Sequence, residues 1–468
     1  PKNLVDTEVM MGQLVASGHE LTPDPAEAEV IVVNTCSFID PAKQESIDTI
    51  LEMAGHKKTG RACKLIVAGC LVERYRGDIQ KDLPEVDALI GTNDLDRIVS
   101  ICEDRPFTGS SAEPYLYHDM TPRVFSTAAH FAYIKISEGC DHPCSFCVIP
   151  QYRGANRSRR PESVVAEATR MFAQGVREIN LIGQDTTAYG EDLQVPDGLA
   201  YLLGRLAQIE TPQPKWIRFL YAYPNRVTSR LLDTIAEHAA LVKYIDMPLQ
   251  HASASVLKRM KRGASGDIFL RLLEKVRAAI PGVAIRTSFI VGFPGETDAD
   301  FTELTHFIEA ARFDRLGVFA YSDEDTAGSY LLDGKVDGRT IYNRKRRLMT
   351  LQRKISRTQN RKLAGREFPV LVEGRSRETD LLWECRLTTQ APEIDGVCYI
   401  NDFDGAEPAA GQMRVLRITE THDYDLIGTL TDRVLATAPA ALQSGLFPIF
   451  TGSRPEAAHH ASALTLTA

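Results

Sequence analysis

The chain has 468 residues, room for about three domains at roughly 150 residues each and for a large buried core. Its 44% hydrophobic and 25% charged residues are those of a soluble globular protein, and no apolar run approaches the roughly 20 residues of a membrane span, which excludes a membrane-embedded chain. The formal charge of −8, from 54 basic and 62 acidic residues, argues against attachment to nucleic acid through the overall field. The nine cysteines lack the even, dense spacing of a disulfide framework and point to a cytoplasmic protein.

Residues 1–105 alternate strand-like and helix-like patterns, as expected of an open α/β domain. Asp6 and Thr7 are expected to precede a helix running to about Ser17. Val30–Val33 reads as a strand ending in Asn34-Thr35-Cys36, with a helix from Pro41 to Ala54. Leu65–Ala68 repeats the pattern, ending in Gly69-Cys70 before another helix. Cys36 and Cys70 thus fall just past the carboxyl ends of two strands, the edge where open α/β sheets bind ligands. A free cysteine at such a position is equally at home as a small buried hydrophobe.

Residues 106–128 lack periodicity and read as a linker. Residues 129–338 then give six strand candidates, Phe131–Ser137, Glu178–Gly183, Trp216–Tyr223, Tyr244–Leu249, Ala284–Gly292 and Arg315–Ser322, with helical stretches between them. Six βα units in about 200 residues point to a partial (β/α)6 barrel with its active site at the carboxyl ends of the strands. Residues 339–365 form a basic connector. From Arg339 to Arg366 there are eleven basic residues and no acidic one, with apolar residues at helical spacing. A solvated helix between domains is expected, an RNA-facing surface being the alternative. Residues 366–432 are β-rich, as in a small β-barrel, and carry 14 acidic and 6 basic residues, a charge of 6 − 14 = −8. Residues 433–468 are rich in Ala, Ser, Thr and Pro and are expected to be a disordered tail.

The most specific motif is Gly139-Cys140-Asp-His-Pro-Cys144-Ser-Phe146-Cys147, directly after the first barrel strand. Three thiolates spaced four and three residues apart can wrap one loop around a cubane cluster and leave its fourth iron without a protein ligand. The alternatives are a zinc site completed by His142, or three unrelated thiols.

This motif in this context resembles the radical S-adenosylmethionine superfamily over roughly residues 130–330. The resemblance implies a [4Fe-4S] cluster on Cys140, Cys144 and Cys147, whose open iron chelates the amino and carboxylate groups of S-adenosylmethionine. It also implies Phe146 beside the adenine and Gly183-Gln184-Asp185 near the methionine amino group, where Gly-Gly-Glu is commoner in the superfamily. Arg286, Ser288 and the run Gly292-Phe-Pro-Gly295-Glu296 look like further cofactor contacts.

The N-terminal cysteines and the final barrel resemble the methylthiotransferase family within that superfamily, with its TRAM-like C-terminal domain. The resemblance implies a second [4Fe-4S] cluster on Cys36, Cys70 and a third cysteine expected immediately before Pro1. Cys63, Cys102, Cys385 and Cys398 read as structural thiols. Pro1 to Asp6, Ser137 to Cys140, Asp246 to Ser253, Ala391 to Gly396 and Tyr424 to Leu426 resemble the branch that modifies small-subunit ribosomal protein S-twelve. That branch methylthiolates the β-carbon of an aspartate. It implies S-twelve, free or in the subunit, as partner, an electron donor such as flavodoxin or ferredoxin, a sulfur source, and no membrane. A C-terminal barrel carrying −8 suits a basic protein better than RNA phosphates. A tRNA adenosine methylthiotransferase and a non-catalytic iron-sulfur carrier or redox sensor are the rival readings.

Overall fold

The computed structural model describes residues 1–107, 114–376 and 378–439, and the backbone of 463–467. The N-terminal domain holds a parallel sheet in the order Glu20–Leu21, Ala463–Thr467, Val30–Thr35, Lys64–Gly69 and Ala88–Ile90. All six residues of Val30–Thr35 are buried, as the unbroken apolar run of a central parallel strand requires. The first helix, Lys2–Ala16, begins earlier than expected. Asp6 and Thr7 are not its caps but lie inside it, because tertiary partners claim them: Asp6 pairs with Lys135, and Thr7 accepts from the Asn34 amide at 2.8 Å.

The central domain contains two three-stranded parallel sheets. One is Phe131–Lys135, Glu178–Ile182 and Trp216–Phe219; the other is Tyr244–Asp246, Ala284–Val291 and Arg315–Ala320. A single bridge between Ile217 and Leu241 continues one sheet toward the other, giving the open six-stranded barrel expected from the sequence. Its outer helices bury Val164, Met171, Leu203, Leu232, Leu273 and Ile308 against the strands in one continuous core.

Residues 114–128 have no regular structure, yet they are not a loose tether. Arg123 is buried and donates to Glu8 of the first helix at 2.6 Å, to Glu167 at 3.0 Å and to the Tyr133 carbonyl at 2.7 Å. The basic helix, Gly338–Arg361, is likewise more than a solvated link. Leu348 is buried against the barrel, and Arg344 pairs with Glu296 and Asp298. The opposite face, including Lys345, Arg346, Arg353, Lys354 and Arg357, is exposed.

Glu367–Arg375, Trp383–Leu387, Cys398–Phe403, Met413–Thr421 and Leu426–Ala436 close the small C-terminal barrel. Cys385 and Cys398 face each other in its core, in keeping with a structural role. The loop after Leu387 reaches the inner face of the central barrel, where Asp395 accepts from Tyr244 O–H at 2.7 Å and the Gln390 carbonyl accepts from Arg218 at 2.9 Å. The expected disordered tail is corrected at two places: residues 433–436 continue the last barrel strand, and 463–467 pair with Val30–Val33. Residues 440–462 and 468 lie outside the described residues. No described helix is long and apolar enough to cross a membrane.

Glu373 joins the two barrels by accepting from His130 at 2.8 Å and from Arg386 at 2.6 Å. Burial opposes its charge, but Arg386 and His130 hold its pKa down to about 2, against 4.5 ordinarily. A depressed carboxylate stabilises the fold above its ordinary pKa and loses that contribution as pH falls through the folded value. Denaturant unfolding should therefore show wild type more stable than Glu373→Gln above about pH 4.5, with the difference vanishing toward pH 2. A difference independent of pH would contradict the pairing.

Candidate functional site

The cysteine loop leaves the first barrel strand at Gly139. This residue has φ +85° and approaches Ala155 so closely that a Cβ would lie 2.0 Å from the Ala155 carbonyl oxygen, so only glycine fits. The loop is then pinned along its length: Cys140 N–H donates to the Gly154 carbonyl at 3.0 Å, Ser145 N–H to Met260 at 3.1 Å and Cys147 N–H to Cys144 at 3.1 Å. Cys140, Cys144 and Cys147 fall within each other's electrostatic reach, and burial pushes the Cys140 thiol up to about 11 and the Cys147 thiol up to about 12. Arg262 donates to Cys144 Sγ at 3.6 Å and stacks on Tyr223. Among the described residues no three His, Cys, Asp or Glu side chains converge on a single ion. A cubane takes one thiolate per iron, and three thiolates on one pinned loop are a donor set that suits it with a fourth iron left open.

Cys36 and Cys70 end neighbouring strands of the N-terminal sheet, as the sequence suggested. The sharp turn into the helix Cys70–Asp82 uses Gly69 at φ +99°, where a Cβ would lie 2.5 Å from the Asn34 side chain and the Thr35 carbonyl. Asn3 donates to the Thr35 carbonyl, beside Cys36, at 3.2 Å. Burial raises the Cys70 thiol, opposed by Arg153, which donates to its sulfur at 3.3 Å.

A buried ionic network joins the two cysteine sets. Glu138, one residue before Gly139, accepts from Lys135 at 2.5 Å, from Arg153 at 2.8 Å and from the Gln184 amide at 2.6 Å. Asp6 also pairs with Lys135, and Asn3 accepts from Arg153 at 2.8 Å. Burial disfavours the Glu138 charge, but Lys135 and Arg153 outweigh it and hold the carboxyl well below the usual range. Arg153, which closes the short helix Ile149–Arg153 after the cysteine loop, therefore touches Cys70 on one side and Glu138 on the other.

The expected S-adenosylmethionine contacts divide. Phe146 and Ser288 line one cavity of about 210 Å³ with Gln250, Tyr321 and, just after Cys36, Phe38 and Ile39. Gln184 keeps a buried carbonyl oxygen without a partner, an acceptor suited to an ammonium group. Asp185 is already engaged: it accepts from Thr187 N–H at 2.9 Å and pairs with His142 at 2.6 Å, whose ring stacks on Tyr223. Arg286 pairs with Asp246 at 2.8 Å. Gly183 offers its carbonyl to Lys2 at 3.3 Å. Lys2 itself is half-buried, and desolvation lowers it to about 8.

Sequence reasoning missed Lys2, Lys135, Glu138, Arg153 and Arg262 as site residues. Lys2 and Glu138 carried a signal, their places in the runs Pro1 to Asp6 and Ser137 to Cys140.

Family models match in three stretches: the "Uncharacterized protein family UPF0004" over residues 1–91, the "Radical SAM superfamily" over 134–308 and the "TRAM domain" over 364–431. A ribosomal protein uS12 methylthiotransferase RimO from Solibacter usitatus is 77% identical over 430 residues, covering 92% of each chain. The chain belongs to the uS12 methylthiotransferase RimO family. A RimO from Koribacter versatilis is 56% identical, covering 92% of this chain and 94% of that protein. Among solved structures, the radical S-adenosylmethionine methyltransferase TsrM from Kitasatospora setae covers 62% of this chain and 61% of its own at 15% identity, with a TM-score of 0.47. Membership in the RimO family makes the chain a radical S-adenosylmethionine enzyme, and the family's small C-terminal domain is the closed barrel described above.

Removing the charge at the centre of the network leaves Lys135 and Arg153 short of a counterion in a buried site. Glu138→Gln should lower unfolding free energy by about 3–5 kcal/mol, the usual effect of breaking a buried pair. Denaturant titration beside the exposed control Glu45→Gln measures it, and equal stability of the two variants would contradict the network's role.

Proposed function

We propose that the chain methylthiolates the β-carbon of an aspartate in ribosomal protein S-twelve, using two [4Fe-4S] clusters and S-adenosylmethionine. Cys140, Cys144 and Cys147 hold the radical-generating cluster, and Cys36, Cys70 and a cysteine preceding Pro1 hold the auxiliary one. The observation that carries this reading is Arg153, bonded to Cys70 at 3.3 Å and to Glu138 at 2.8 Å, which keeps the two cysteine sets in one buried unit.

When bound, the clusters and cofactor supply an electron for reductive cleavage of the sulfonium, a hydrogen-abstracting radical, and the sulfur and methyl groups that are transferred. The chain's own residues create the conditions. Arg153 beside Cys70 favours the thiolate form that binds iron, against the burial that raises this thiol, and Arg262 donates to Cys144 Sγ. The Gln184 carbonyl accepts from the methionine ammonium, and its amide is fixed by Glu138. Phe146 and Ser288 flank the adenosyl moiety in the cavity that Phe38 and Ile39 also line. Arg286, held by Asp246, and Asp185, held by His142, complete the cofactor contacts. The electron comes from a flavodoxin or ferredoxin, and a separate sulfur source restores the transferred atom.

The protein substrate is favoured over tRNA by the C-terminal barrel, whose Asp402, Asp404, Glu407 and Asp432 are exposed and suit a basic partner.

Two outcomes test the reading. Cys144→Ala should abolish reductive cleavage of S-adenosylmethionine, measured as deoxyadenosine release; retained cleavage would refute the radical assignment. When the reconstituted enzyme is offered S-twelve and tRNA side by side, mass spectrometry should find the methylthio group on the protein alone, and a modified adenosine would reverse the substrate choice.

A further inference from the structure

Lys2 is the first residue of the N-terminal helix. Its ammonium lies 3.6 Å from the centre of the Tyr221 ring and donates to the Gly183 carbonyl at 3.3 Å. Among the described residues no carboxylate lies within 4.0 Å of it, whereas Lys135 takes both Asp6 and Glu138, and Arg153 takes the same two. The acidic groups close enough to influence Lys2 are engaged elsewhere: Glu138 by Lys135, Arg153 and Gln184, and Asp246 by Arg286 and the Tyr221 N–H. A half-buried ammonium held, among the described residues, by a carbonyl and a ring face retains donor capacity for an anion.

Its position narrows the choice of anion. Lys2 lies within electrostatic reach of Cys147, and its neighbour Asn3 donates to the Thr35 carbonyl beside Cys36 at 3.2 Å, so the ammonium stands near both cysteine sets. On the function proposed above, the substrate carbon must meet both the radical and the sulfur in that space. The carboxylate of S-adenosylmethionine is assigned there to the open iron, which leaves the substrate's own carboxylate as the remaining anion.

We infer that Lys2 binds the side-chain carboxylate of the substrate aspartate and thereby selects aspartate over its amide. This inference rests on the proposed S-twelve methylthiotransferase function. The carboxylate is one bond from the β-carbon, so anchoring it to Lys2 fixes the C–H to be attacked, and Tyr221 fixes the ammonium.

The test uses the holoenzyme with both clusters and S-adenosylmethionine, titrated with S-twelve and with S-twelve carrying asparagine at the modified position. Wild type should prefer the aspartate form by about tenfold, the scale of one charge-assisted hydrogen bond. Lys2→Met should bind the two forms alike, and Lys2→Arg should keep part of the preference. Because each variant is compared with itself, a misfolded fraction weakens both titrations equally, and iron analysis confirms cluster content. An undiminished preference in Lys2→Met overturns the inference, as does a variant that loses only affinity for S-adenosylmethionine. Failure of wild type to methylthiolate S-twelve at all would instead overturn the function beneath it, and the inference with it.

Discussion

The Glu138 carboxylate is the constraint around which the rest of the site is arranged. It is buried at the carboxyl end of the first barrel strand and neutralises two cations supplied by different parts of the chain, Lys135 from that strand and Arg153 from beyond the cysteine loop. Asp6 of the N-terminal helix shares both cations, so the same charges that fix the loop also fix the N-terminal domain on the barrel. Breaking a buried pair of this kind costs about 3–5 kcal/mol, a large part of the 5–15 kcal/mol that separates a typical domain from its unfolded state. The two cysteine sets cannot separate without that loss.

This arrangement gives each neighbouring group a defined task. Arg153 reaches past Glu138 to Cys70, Gln184 is oriented by Glu138 so that its carbonyl remains free, and Lys2 is brought to Gly183 because the helix that carries it is tied down at Asp6. A second tie lies further out, where Glu324 takes Arg74 at 2.8 Å and Lys43 at 2.9 Å from the N-terminal domain beside the cavity lined by Phe146 and Ser288. The small C-terminal barrel contributes from the other side, with Asp395 on Tyr244 and Glu373 on His130.

The strands and the cysteines were legible in the sequence because both are local patterns. An apolar run such as Val30–Val33, or thiols four and three residues apart, needs no partner to be recognised. Asp6 and Thr7 misled for the same reason: they carry cap chemistry, but Lys135 and Asn34 recruit them from inside the helix. Residues 114–128 look like a linker until Arg123 meets Glu8, and Arg344 looks solvated until it meets Glu296. The Glu138–Arg153 pair spans 15 residues with no periodicity to announce it, and Lys2 meets Gly183 from 181 residues away. Polar networks built from distant segments leave no one-dimensional trace.

The central claim is that the two cysteine sets form one rigid, closely spaced unit, and electron spin resonance of the doubly reduced holoenzyme tests it most directly. The reference is the sum of two single-cluster spectra, one from Cys144→Ala and one from Cys70→Ala. Magnetic coupling between neighbouring clusters should make the wild-type spectrum broader and faster-relaxing than that sum. A wild-type spectrum equal to the sum would contradict the account.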